Sequence, residues 1–415
     1  MFKTALRYAA VVCLMSTAAS AAAPPVLKLV ETRDIVALEA LSRAAPAADE
    51  QRLANGAALA LRHKDDAALA ALLPLTQSAA DKELRVSAYL TLSEVYLRQS
   101  RYADAYAAMA AAKALSDEPL DAATLQTMDF VSVLKGVKPM ALIHPATGQV
   151  PITRYMGSLM RVPVKINGQA QDAVIDSGAG FSAVSESTAK ALGLHMLEGA
   201  ATVASASKDA VPMRIGIADR LEFGDAVLTD VVFIVLPDEA LSFVGGLYKI
   251  RAIIGLPVFE KLGRLEFAQV DGKEVLYYGP KPGAAAGEPN LLLAGVEPIV
   301  LVNAAKATGP LRMFIDTGAW STTLYAKAMQ DYPAMTADAV KVADTLHGAG
   351  GETRDENARK LPELRLTIAG REIVLKGVVI HSKDEPDRHG AIGQDVLKQG
   401  KSWVIDFVNM CFAVE

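Results

Sequence analysis

The 415-residue chain contains two cysteines, Cys13 and Cys411. Cys13 falls in an N-terminal stretch with the form of a cleavable leader, so the mature chain keeps one thiol and no internal disulfide, even in an oxidising compartment. Stability then has to come from packing. After the leader no run of 18 or more apolar residues occurs, and the strongest one, VVFIVLP at 231–237, has the length of a strand, so stable membrane insertion is not expected. The sequence has no Asn-X-Ser/Thr acceptor, which fits a bacterial periplasm better than a eukaryotic secretory route. It also lacks basic runs, and with 42 basic against 47 acidic residues and a net charge of -5, nucleic acid is set aside as a partner. Metal-ligand spacings are missing as well. HSKDEPDRH at 381–389 gathers two histidines and three carboxylates in no recognised pattern and is expected to be a solvated loop, so neither metal nor organic cofactor is expected. Ser182 and Ser185 lie in no nucleophile elbow.

What is present divides into three textures. Residues 1–23 carry Lys3 and Arg7, a short apolar core and small residues around Ala21 and Ala23, the layout of a secretory signal peptide. A periplasmic or secreted protein is expected. Residues 24–138 are rich in Ala and Leu at helical spacing. Tyr89, Leu92 and Tyr96 share one helix face, a turn falls at Gln99 to Arg101, and Ala105, Met109 and Ala112 line the next helix. Large residues opposite small ones let such a hairpin close tightly. The segment resembles a tetratricopeptide repeat array, which implies a possible protein partner through this domain. So short an array is expected to dock on the C-terminal part of the chain.

From about Pro139 the pattern becomes short apolar runs separated by Gly and Asn-Gly turns. Residues 139–280 and 290–415 share one order of strand, turn, strand, Asp, short helix, strands, apolar-apolar-Gly and terminal hairpin. A Pro/Gly/Ala linker at 281–289 lies between them. From Asp176 to Gly255 is 255 − 176 = 79 residues, and from Asp316 to Gly393 is 393 − 316 = 77. This region reads as a tandem duplication of one β-rich unit.

Each unit delivers an Asp from an apolar strand into a Ser/Thr-Gly-Ala turn: Asp176-Ser177-Gly178-Ala179 and Asp316-Thr317-Gly318-Ala319. At average residue usage one Asp-Ser/Thr-Gly arises by chance in roughly one chain in five of this length. Two in matched settings therefore carry a signal that one would not. Hydrolysis of a peptide needs a base to activate water and an acid for the leaving nitrogen, and two adjacent carboxyls sharing a proton supply both. Gly178 and Gly318 leave room for close backbone approach. Trp320 and Trp403 are read as core or groove wall.

With both motifs in view, residues from about 150 onward resemble the retropepsin-like aspartic peptidases in a single-chain, two-lobed form. The resemblance implies two β-barrel lobes about a pseudo-twofold axis, placed after the helical domain in a multidomain α plus all-β chain. It implies Asp176 and Asp316 as the catalytic pair, with Ser177 and Thr317 cross-bonding to the opposite loop for rigidity. It also implies that Ile253-Ile254-Gly255 and Ala391-Ile392-Gly393 pack beside the loops, and that hairpins near 203–212 and 347–358 roof a groove.

The expected function is an aspartic endopeptidase acting on polypeptide. The alternative is a peptide-binding protein that keeps the duplicated fold without efficient cleavage, with the helical domain as adaptor. Ala179 and Ala319 lack a hydroxyl that would lower the carboxyl pKa values. A pH–rate profile on an unfolded polypeptide is accordingly expected to peak at roughly pH 4 to 6, and a maximum above neutrality would contradict this.

Overall fold

A computed structural model of the chain describes residues 25–44, 48–155, 159–199, 201–203, 211–243, 248–279, 288–348 and 351–415. The expected signal peptide, the tip of the first roofing hairpin and most of the linker lie outside these residues.

Helices fill the described residues up to Leu134, and strands begin at Ala141–His144. Helix Lys82–Arg98 starts where Asp81 accepts the N–H groups of Glu83 and Leu84, and it ends at a turn in which Ser100 takes φ 58. Helix Tyr102–Leu115 then packs back on it. Leu92 and Tyr96 are buried with Ala105, Met109 and Ala112, the large-on-small packing that the spacing predicts.

The β region holds two sheets of the same plan. In the first, strands Leu159–Ile166, Gln169–Ile175, Ala252–Ile254, Ser182–Ser185, Val231–Leu236 and Val211–Ala218 are consecutive neighbours. In the second the order is Glu297–Ala304, Leu311–Ile315, Gly390–Ile392, Thr323–Tyr325, Arg371–His381 and Arg359–Ile368. Pairing senses match along both series: antiparallel, parallel, antiparallel, parallel, antiparallel. Hairpins turn where the dipeptides predict, with Asn167-Gly168 and Asp271-Gly272 both at positive φ.

Two features depart from the sequence reading. The terminal hairpins do not each close their own unit. Strand Arg264–Val270 pairs with Ser402–Asp406, so Gly148–Pro151, Lys273–Tyr278 and Cys411–Val414 join them in one five-stranded sheet built from both halves. Phe267 stacks on Trp403 across this junction at 3.5 Å between ring centroids, which makes Trp403 a core residue. The 381–389 segment is a loop solvated only in part, with Ser382, Lys383, Asp384 and Pro386 exposed. His381, Asp387 and His389 are buried, because the strands on either side carry them into the body of the second sheet. Among the described residues no cluster has the makings of a metal site.

The run at 231–237 shows why the helical domain docks. All six residues of strand Val231–Leu236 are buried. Phe233 and Val235 face the core of the sheet, while Val232, Ile234 and Leu236 join a second core shared with Leu53, Leu92, Phe130 and Leu134 of the helices. A strand covered on both faces reads as a continuous apolar run rather than an alternating one. Polar groups fix the dock. Buried Arg98 pairs with Asp65 and donates to the carbonyls of Ala60 (3.1 Å) and Gly295 (3.1 Å), the latter on the second β unit. Arg98→Ala strands a buried carboxylate and two carbonyls, and is expected to cost about 3–5 kcal/mol in urea unfolding. A loss under about 1 kcal/mol would show that the dock rests on apolar contact alone.

Candidate active site

Asp176 and Asp316 sit one residue beyond strands Gln169–Ile175 and Leu311–Ile315. Each strand pairs in parallel with an apolar-apolar-Gly strand, Ile254 beside Ile175 and Ile392 beside Ile315. The Asp176 N–H donates to Ile254 O and the Asp316 N–H to Ile392 O, both at 3.0 Å. Past each glycine the chain bonds back to the loop, from Leu256 N to Ala179 O (2.9 Å) and from Gln394 N to Ala319 O (3.0 Å). A Cβ on Gly255 would lie 2.6 Å from Ala179 O, and one on Gly393 would lie 2.5 Å from the Ser321 carbonyl carbon. Those approaches are open only to glycine.

The loops are tied to each other through two hydroxyls. Ser177 Oγ donates to Ile315 O (2.7 Å) and accepts from Thr317 N (3.1 Å). Thr317 Oγ1 donates to Ile175 O (3.0 Å) and accepts from Ser177 N (3.0 Å). Both residues are buried, and all four bonds cross between the halves. The carboxyls are thereby held against the opposite glycines. A Cβ on Gly178 would stand 2.8 Å from Asp316 Cγ, and one on Gly318 would stand 2.8 Å from Asp176 Oδ2. Within its own loop each carboxyl also accepts a backbone N–H, Gly178 N to Asp176 Oδ1 and Gly318 N to Asp316 Oδ1, both at 2.8 Å, and Ala319 N adds a third such bond at 2.9 Å.

Burial and proximity act on the proton affinity of this pair. Removal from water is the largest influence and raises both carboxyls above the ordinary aspartate range. At Asp316 repulsion from Asp176 adds to it, and its pKa is pushed up to about 8. At Asp176 the loop N–H groups and the hydrogen bond from Asp316 oppose the rise. The two carboxyls therefore titrate as a coupled pair.

The fourth residue after each Asp differs between the halves. Gly180 lies under Val296, with a Cβ there only 2.9 Å from Val296 Cγ2, whereas Trp320 is 63% exposed beside the second loop. Trp320 is thus exposed and not part of the core. Of the two roofing hairpins, Asp344–Gly348 pairs with Gly351–Asp355 as a separate two-stranded sheet, and Ala201–Val203 pairs with Val211–Ala218 around a tip outside the described residues.

Four supporting residues were given no role at the site from sequence. Ser182 Oγ accepts from Gly255 N and Thr322 Oγ1 from Gly393 N, both at 3.1 Å. Each hydroxyl lies six residues after its Asp, a matched spacing that would have revealed them. Asp395 accepts from Thr322 N and Oγ1. Buried Gln394 donates to Thr317 O (2.9 Å) and accepts from Arg154 of the first half (2.6 Å), a link with no sequence signal. His389 is a strut rather than a ligand. It accepts from Arg312 N at 2.9 Å and faces Asp331 at 3.1 Å, and burial, aided by Arg312, pushes its pKa down to about 4.

Two half-buried carboxyls thus meet at one junction, on loops bonded to each other. The family model described as aspartyl protease matches residues 162–258, the segment holding Asp176 and Ile253-Ile254-Gly255. The match agrees with the retropepsin-like aspartic peptidase resemblance that the paired Asp motifs carry. A solved structure described as a retropepsin-like aspartic protease from Rickettsia conorii aligns at 15% identity, covering 32% of this chain and 92% of that one, with a TM-score of 0.22. No curated protein matches the chain.

A raised carboxyl pKa has a consequence for stability. Where the folded pKa lies above the unfolded one, the contribution is complete below the unfolded value and is lost as pH rises through the folded value. For Asp316 that window runs from about 4 to about 8. Asp316→Asn removes the loss, so the Tm of the variant minus that of the natural chain is expected to grow as pH rises from 4 to 8. A difference constant over this range would show that the carboxyl is not held protonated.

Proposed function

We propose that the chain is an aspartic endopeptidase whose two β units are lobes related by a pseudo-twofold axis, with Asp176 and Asp316 as its catalytic pair. The observation that carries the reading is the set of four cross-bonds through Ser177 and Thr317, which holds two half-buried carboxyls in one place. Both have raised proton affinity, and the matched strand orders and pairing senses support the lobe relationship.

In this reading one carboxyl is ionised and takes a proton from a water molecule between the pair, while the protonated one donates to the peptide carbonyl. The water oxygen bonds to the carbonyl carbon. The tetrahedral intermediate then collapses with proton transfer to the leaving nitrogen, and the carboxyls return to sharing one proton. The serine and threonine hydroxyls take no part as nucleophiles, since each is fully engaged with the opposite backbone. Burial and repulsion from Asp176 hold the Asp316 proton up to about 8, so the alkaline limb of the profile is expected above the pH 4 to 6 window. The roofing hairpins serve as flaps, and the helical domain, read as tetratricopeptide-like, is fixed to both lobes. The leader-like N-terminus supports a periplasmic or secreted location.

Incubation with an unfolded polypeptide across pH 3 to 8 tests the reading. Asp176→Asn and Asp316→Asn are each expected to lower kcat by at least about a thousandfold, because neither half of the acid–base exchange survives alone. Cleavage that persists in either variant would remove the pair from the mechanism. Peptide binding without cleavage by the natural chain would favour the binding-protein alternative.

A further inference from the structure

The two halves treat the ground beside their Asp strands differently. Side chains two apart on a strand share a face, so Phe314 lies on the face that carries Asp316, and Val174 on the face that carries Asp176. On the second half this ground is filled and neutralised. Phe314 packs into the core shared with the helical domain, with the Arg388 guanidinium 5.1 Å above its ring. Arg388 pairs with Glu297 and Asp387, and Arg33 of the helical domain reaches Asp387 at 2.9 Å and Glu94 at 3.1 Å.

The ground beside Val174 is instead a cavity of about 610 Å³. Arg161, Lys249 and Arg251 line it against a single carboxylate, that of Asp172. The Arg161 guanidinium lies 4.3 Å over the Tyr155 ring, which sets its plane, and Tyr155 Oη is itself held between the N–H (3.0 Å) and carbonyl (3.3 Å) of Lys249. Arg161 Nε is buried with no hydrogen-bond partner, although a buried donor without one is costly. Among the described residues none of the three cations makes an ion pair, whereas Arg33, Arg98, Arg264 and Arg388, all buried or largely so, are paired. The first half sets Asp172 in the lining and Asp238 within electrostatic reach of Lys249, but neither pairs with these cations as Glu297 and Asp387 pair with Arg388.

We propose that this cavity is an anion subsite of the substrate groove, taking a peptide carboxylate on Arg161, Lys249 and Arg251. The proposal rests on the peptidase reading for its substrate class. Val174 precedes Asp176 by two residues, so the cavity begins about 7 Å along the strand from the site. An extended peptide rises about 3.3 Å per residue, which puts the carboxylate within three residues of the scissile bond on one side. The planar guanidinium of Arg161, fixed by stacking, suits two-point contact with a carboxylate. Two sources share this chemistry, an Asp or Glu side chain and a free C-terminus.

The test uses the full chain and quenched fluorogenic peptides of one neutral sequence. One series carries Glu at each of the three positions on either side of the bond, with the C-terminus amidated. A second has neutral side chains and a free C-terminus one to three residues beyond the bond. At least a tenfold gain in kcat/KM, carried by KM, is expected for Glu at one position or for one free terminus, and the series that gains identifies the source. Arg161→Gln and Arg251→Gln are each expected to bring the ratio of acidic to neutral peptide close to one. Arg251 is exposed, so its variant serves if Arg161→Gln fails to fold. Equal kcat/KM for all peptides, or a ratio unmoved by either variant, would overturn the subsite.

A binding arm separates the two readings. Asp176→Asn is titrated with fluorescein-labelled peptides of both series, and anisotropy is expected to report tenfold tighter binding of the favoured acidic peptide, cancelled by Arg251→Gln. Selective binding without cleavage by the natural chain would keep the subsite and remove the peptidase reading. Cleavage without selectivity would do the reverse.

Discussion

Everything at the site depends on two hydroxyls that each bond twice across the junction of the halves. Ser177 and Thr317 satisfy the backbone N–H and carbonyl groups of the opposite loop, where water is excluded and an unpaired group would be costly. Because these bonds run between halves, neither loop has its observed form without the other. Part of the raised proton affinity of Asp316 is a result, since the repulsion from Asp176 that adds to desolvation needs both loops in place. Geometry and electrostatics are thus consequences of one reciprocal contact.

The helical domain is bound into the same system. It shares a core with the outward face of the first sheet, reaches the second half through Arg98 and Arg33, and leaves open the ground beside Val174. The molecule is therefore asymmetric where its β units are alike. One flank of the site is built from the chain's own ion pairs and the other from cations that lack them. Trp320 and Gly180, at matched positions, repeat this inequality on a smaller scale.

Much of this was legible in the sequence because it is written in local patterns. Asn167-Gly168 and Asp271-Gly272 specify turns, apolar runs ending in Asp specify the delivery of carboxyls, and the 79- and 77-residue spacings specify repetition. The large-on-small helix packing was legible for the same reason. What was not legible depends on contacts distant in sequence. Nothing in 264–270 and 402–406 says that these strands pair with each other, since either would satisfy an ordinary hairpin. Gln394 reads as a helix-start residue until Arg154, 240 positions away, is seen to meet it. The burial of His381, Asp387 and His389 was missed because the charges of 381–389 resemble those of a solvated loop, and only the tertiary structure supplies the partners that let these three be buried. Trp320 and Trp403 show the same limit, since one type of side chain ends up exposed at the site and stacked in the core.

The shared five-stranded sheet bears on when the site can exist during synthesis. Its central pairing joins residues 264–270 to 402–406, and residues 411–414 form its far edge. A nascent chain that has emerged through the first β unit has one aspartate of the pair, none of the cross-bonds and an unpaired strand edge. The loops cannot lock until the second unit has emerged, and the sheet that clamps the halves from below cannot be completed until residue 414 has been made. Contacts of such long sequence separation form late. The strand order therefore delays the meeting of the two carboxyls until both β units have emerged.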